Sequence, residues 1–180
     1  MNYAEIKSVD IANGEGIRVS LFVSGCTHHC KGCFNQMTWD FDYGKPFTAE
    51  VEQQLLNDLD PSFITGLTLL GGEPMEPVNQ RALLPFLKQF KEKYPRKTLW
   101  IYSGYLFDRD LTDPSGRAYV NDVTKEILSM TDILVDGPFV ESQKDISLVF
   151  RGSSNQRIIR VPESLSSGEI VLWQPPKHEI

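Results

Sequence analysis

No run of basic residues breaks the 180-residue chain, no apolar stretch nears the length of a membrane span, and cysteine occurs only three times. Each shortage excludes something. With a net charge of −6 and no basic tract, a nucleic-acid backbone is not an expected partner. Without a span of about 20 apolar residues, neither is a membrane. The segment Met1–Asp10 lacks a basic flank leading into an apolar core, so no secretory leader is expected and the expected location is cytoplasmic. An odd number of cysteines in such a chain argues against disulfide stapling and for thiols that are reduced or bound to metal. No internal repeat is present either. What remains is 41% hydrophobic and 23% charged, the composition of one ordinary domain spanning residues 1–180, with a proline-rich, loosely held tail from about residue 174.

The three cysteines are not scattered. Cys26, Cys30 and Cys33 all lie in Gly25–Asn35, G-C-T-H-H-C-K-G-C-F-N. Random placement would give this spacing about twice in 10,000 trials, so the cluster calls for a chemical reason. Three thiolates on one loop suit a soft, thiophilic metal centre. Zinc is one choice, with His28 or His29 as a fourth ligand, in an adaptor without catalysis. Yet Cys-x3-Cys-x2-Cys is not the usual zinc spacing, and no second ligand pair follows, because the only other histidine is His178. A four-iron cluster is the other choice. Three cysteines then leave one iron without a protein ligand, which makes sense where a small molecule must bind. His28 and His29 are either groups that tune such a cluster by hydrogen bonding to sulfur or exposed loop residues.

Strand-like runs at Arg18–Val23, Gly66–Leu70, Lys97–Tyr102 and Asp132–Val135 alternate with helical stripes. The stripes are Val51, Leu55, Leu56 and Leu59 behind a Thr48 cap, then Val78–Tyr94 with an awkward Pro85, then Val120–Met130. Ile6–Ile11, Leu148–Phe150 and Arg157–Val161 are shorter strand candidates. This order predicts an α/β fold with a mostly parallel sheet, and the length fits a partial, open barrel of about five or six strands rather than a closed ring of eight. Every motif follows a strand, where sheet enzymes bind ligands: Cys26–Cys33, Gly71-Gly72-Glu73-Pro74, Ser103-Gly104-Tyr105 and Asp136-Gly137-Pro138-Phe139. Gly71–Pro74 is either a tight turn into a helix or a place where backbone approaches a ligand closely. Asp136 could simply cap its own turn. Trp39, Trp100 and Trp173 read as packing, and Arg151, Asn155, Gln156 and Arg157 as solvated loop residues or contacts to a carboxylate.

Taken together these motifs resemble the radical S-adenosylmethionine (SAM) enzymes, in which three cysteines hold a [4Fe–4S] cluster and SAM chelates the open iron. Gly32 departs from the general pattern of an aromatic or hydrophobic residue before the third cysteine. It is similar instead to the subgroup that activates anaerobic ribonucleoside-triphosphate reductases, as are Asn35, Thr38-Trp39, Asn13–Gly25, Leu69–Pro74, Ser103–Tyr105 and Val135–Phe139. The likeness spans about residues 5–160. It implies a radical SAM-type partial barrel, one [4Fe–4S] cluster on Cys26, Cys30 and Cys33, and SAM beside Gly71, Gly72, Glu73, Pro74, Ser103 and Asp136. It also implies reductive cleavage of SAM to a 5′-deoxyadenosyl radical, a reductase glycine as the hydrogen donor, and a flavodoxin or ferredoxin as electron source. Other activases and small-molecule radical SAM enzymes are the nearest alternatives.

Overall fold

Apolar side chains at every second position give the central strands two different faces. The computed structural model describes residues 1–175, and in it β1 (Asn2–Asp10), β2 (Ile17–Val23), β3 (Lys45–Pro46), α1 (Ala49–Asp58), β4 (Ile64–Gly71) and α2 (Pro77–Lys93) come first. Then follow β5 (Thr98–Tyr102), α3 (Asn121–Met130), β6 (Ile133–Asp136), β7 (Arg157–Arg160) and α4 (Val161–Ser167). The strands form one sheet in the order β3-β1-β2-β4-β5-β6-β7. The central neighbours β2, β4, β5 and β6 pair in parallel, while β1, β3 and β7 join antiparallel. The mixed α/β class agrees with the sequence.

Val19, Leu21, Val23, Leu67, Leu69, Leu99, Ile101 and Leu134 point to one side of the sheet. There they meet Leu55 of α1, Leu83, Phe86, Leu87 and Phe90 of α2, and Ile127 of α3 in a single buried core. The other side carries Phe22, Leu70, Tyr102 and Val135, which face a cavity, and a smaller cluster of Trp100, Ile133 and Ile158 packed by Phe150 and Trp173. A helix-free face is what leaves room for a ligand. No helix among the described residues is long and apolar enough to cross a membrane.

Three local readings change. Among the described residues seven strands are present where about five or six were expected, because β1 is a full nine-residue strand and Lys45–Pro46 pairs with its start. Leu148–Phe150 is a bend, with Phe150 at φ 56° so that its ring reaches Trp100 and Trp173. The chain after Arg160 turns helical rather than ending a strand. Pro162 in the first turn and Gly168 at φ 75° past the end were the available signals for α4. Pro85 neither ends nor splits α2: it lies on the exposed side, where solvent can satisfy the carbonyl its ring leaves without a donor. Of the tail expected to be loose from about residue 174, positions 176–180 lie outside the described residues.

Two buried charges, Arg18 and Asp10, tie the start of the sheet together. Arg18 is 1% exposed and donates to Thr68 Oγ1, Thr98 Oγ1 and the carbonyls of Glu15, Leu67 and Thr98. Asp10 accepts from Ala12 N–H, Asn13 Nδ2 and Ser20 Oγ, which folds the 11–16 loop under the sheet. Burial works against the Asp10 charge, but these donors outweigh it and hold its pKa below the ordinary 3.8. Arg157 does the same for Asp108 and Arg117 for Asp110. A depressed carboxylate contributes stability that is present above its unfolded pKa and lost as pH falls through the folded value. Thermal midpoints are therefore expected to hold between neutrality and about pH 4 and to fall below it. A decline beginning near pH 6 in a thermal scan series would assign the acid sensitivity to other groups.

Candidate functional site

Strand β2 ends at Val23 and the chain reverses at Gly25, whose φ of 97° excludes most side chains. The returning segment is pinned beside it, with Gly25 N–H on Thr38 O and Cys26 N–H on Trp39 O. Cys26 is buried, while Cys30 and Cys33 are half-buried. Cys33 N–H closes a turn on Cys30 O, and the second of the two residues inside that turn, Gly32, sits at φ 74°. An aromatic residue there would be strained, which accounts for the glycine in physical terms. All three cysteines line one cavity of about 620 Å³ on the helix-free face. Burial pushes the Cys26 thiol up to about 12 and raises Cys30 as well, so metal must displace protons to gain thiolate ligands. Among the described residues, no three His, Cys, Asp or Glu side chains converge as a site for a single ion.

The second wall is Gly71-Gly72-Glu73, brought against the cysteine loop by the parallel pairing of β2 with β4. Gly72 N–H donates to Val23 O and Glu73 N–H to Gly25 O, both at 2.8 Å. A Cβ on Gly72 would lie 2.7 Å from the carbonyl oxygens of both Gly25 and Thr38. Gly72→Ala is therefore expected to force the two loops apart, at a cost of about 1–3 kcal/mol, and to impair iron loading. Unchanged iron content after reconstitution would show that the contact is not critical.

The Glu73 carboxylate is 1% exposed and accepts from Met75 N–H, Gly104 N–H and the His28 imidazole, whose Nε2 lies 3.0 Å away. Burial pulls the His28 pKa down, but the hydrogen bond and charge of Glu73 outweigh it, so the ring holds its proton above the usual histidine range. His28 also stands edge-on to Tyr105 at 4.3 Å, while His29 stacks on Trp39 at 4.6 Å.

Ser103 borders the cavity with its hydroxyl accepting Tyr105 N–H. Pro74 and Asp136 do not border it. Asp136 is fully buried, gripped by Arg157 through Nε and Nη2 and by Phe107 N–H, while Val135 and Gly137 on either side line the cavity. Arg151 and Gln156 form part of the far wall; Arg151 is tied to the carbonyl of Gln156, and Gln156 to Gly137 O. Arg157 is bound to Asp136 and Asp108, and Asn155 donates to Pro138 O. The sequence did not mark Asn79, a buried amide joining Ser24 O to Glu73 O, and favoured Glu73 over Glu76, which takes the backbone and hydroxyl of Thr27. Only their position one helical turn apart at the start of α2 hinted at a shared task.

A family model described as a 4Fe-4S single cluster domain matches residues 12–159. The anaerobic ribonucleoside-triphosphate reductase-activating protein of Haemophilus influenzae is 46% identical over 162 residues, covering 89% of this chain and 98% of its own. Those of Escherichia coli K12 and Enterobacteria phage T4 are 40% and 36% identical, covering 87% and 88% of this chain and 96% and 93% of theirs. The chain belongs to this family of reductase-activating proteins. Membership favours the four-iron cluster over the zinc alternative, and the donor set agrees: three soft thiols bordering one cavity, with His28 already held by Glu73.

Proposed function

We propose that this chain is an iron–sulfur enzyme that generates the glycyl radical on an anaerobic ribonucleoside-triphosphate reductase. One observation carries the reading: within that family's matched region, every cysteine of the chain borders a single cavity beside Gly71-Gly72. Cys26, Cys30 and Cys33 would hold one [4Fe–4S] cluster. Gly71, Gly72, the Glu73 backbone and Ser103 would border SAM, with Pro74 and Asp136 shaping that border from behind. The helix-covered outer face and open inner face support reading the sheet as a radical SAM-type partial barrel. When bound, cluster and SAM together supply the one-electron chemistry that yields a 5′-deoxyadenosyl radical and takes hydrogen from a glycine Cα. The protein contributes placement, a water-poor wall of Phe22, Leu70 and Val135, and an open rim. A flavodoxin or ferredoxin is the expected electron source and the cytoplasm the expected setting.

The rim suits a protein substrate. Phe34 and Met37 are 67% and 63% exposed beside the cysteine loop, with Phe41 and Tyr43 nearby. Alanine at Phe34 and Met37 is expected to weaken affinity for the reductase about tenfold, since exposed apolar anchors dominate interfaces. Unchanged affinity in a binding titration would move the docking site elsewhere.

The decisive experiment is anaerobic electron paramagnetic resonance. Reconstituted, reduced protein with SAM and the cognate reductase should yield an organic doublet on the reductase. A cluster signal that responds to SAM without any doublet would reassign the partner. Absence of any cluster after iron and sulfide reconstitution would overturn the proposal.

A further inference from the structure

We infer that Glu73 acts through His28 as the positioning residue of the cysteine loop, and not as a side-chain ligand to the cofactor. The inference rests on reading Cys26, Cys30 and Cys33 as cluster ligands. Although Glu73 borders the cavity, its carboxylate is enclosed by three donors from three separate segments: Met75 N–H on its own turn, Gly104 N–H after β5, and His28 in the cysteine loop. Its capacity for a further partner is small.

The other side of the contact is equally built. His28 is enclosed by Glu73, by the edge of Tyr105, and by Gly104, where an added Cβ would come within 2.6 Å of the imidazole Cδ2. The preceding residue is held too: Thr27 N–H and Oγ1 both donate to Glu76 Oε1, at 2.8 and 2.6 Å. Two of the three residues between Cys26 and Cys30 therefore hang from two buried carboxylates of the β4–α2 turn. This gives the Gly71–Pro74 and Ser103–Tyr105 motifs one shared task. Gly71, Gly72, Ser103 and Gly104 border the cavity, while Glu73, Gly104 and Tyr105 form a socket for His28. A loop carrying metal ligands gains from such preorganisation, because ligands already in place lose less entropy on binding.

The test compares Glu73→Gln, His28→Ala and the double variant in metal-free protein by amide hydrogen exchange. Glutamine keeps the volume but replaces one acceptor oxygen with a donor. Each single variant should speed exchange across residues 26–33 about tenfold, and the double variant no more than the faster single, because both remove the same link. Exchange in β4 and β5 should stay slow, showing an intact sheet. If Glu73→Gln fails to fold, His28→Ala still reports, and His28→Gln should restore slow exchange by supplying an amide donor. A SAM titration on reconstituted protein, followed by the reduced-cluster signal, should weaken alike in both single variants. SAM affinity lost only in Glu73→Gln, or loop exchange unmoved in His28→Ala, would overturn the inference. Wild-type protein that takes up a cluster but no SAM would instead overturn the proposed function, leaving the metal-free exchange test standing.

Discussion

Replacing Cys30 by alanine should leave a folded protein with no stable cluster and a glycyl-radical yield at background. The two effects separate because Cys30 is half-buried on a loop, outside the core formed by the sheet and α1–α3. Losing its sulfur removes little packing, so the thermal midpoint should shift by no more than roughly 2–4 °C, the effect of about 1 kcal/mol in a chain of this length. Loading is another matter. The chain has three cysteines and all three border the cavity, so no spare thiolate exists to take its place. Cys26→Ala should give the same loss of cluster with a larger stability cost, being buried. Iron content, visible absorption and the reductase doublet measure the first effect, and a thermal scan the second. A Cys30→Ala protein that retains its cluster and still forms the doublet would remove this cysteine from the ligand set.

Arg157→Ala should have the opposite signature: a large loss of stability with the ligand set intact. Asp136 is fully buried at the end of β6, and two guanidinium nitrogens of Arg157 hold it. Removing them strands a carboxylate away from solvent, with only Phe107 N–H as a partner. Breaking a buried pair in this way costs about 3–5 kcal/mol, and Arg157 is partly exposed, so a value near ~3 kcal/mol is expected. That corresponds to a fall in midpoint of roughly 6–12 °C. Adding Asp136→Asn should recover part of it by removing the stranded charge. A double variant no more stable than Arg157→Ala would show that lost packing, not the buried charge, was the cause.

The Asp136 case shows where reading the chain alone reaches its limit. Asp136 is the last residue of β6, and its neighbours Val135 and Gly137 line the cavity while it does not. Whether the carboxylate faces a ligand or an arginine depends on β7, which pairs antiparallel with β6 and sets Asp136 opposite Arg157. No local pattern encodes that register. The core helices and parallel strands were legible because hydrophobic periodicity is a local signal and their packing obeys it. The bend at Leu148–Phe150 was not, because a short apolar run reads alike whether it forms a ladder or tucks one ring under two tryptophans.

Local sequence already carries the chemistry on offer: three thiols at a spacing too improbable for chance, glycines where backbone must come close, and a strand before each motif. Covalent neighbours fix such features. How they are used depends on the fold. Glu73 lies 45 residues from His28 and 31 from Gly104, and those distances collapse only when β2, β4 and β5 lie side by side in parallel. Parallel strands need long crossovers, so the groups they bring together are remote in the chain by construction.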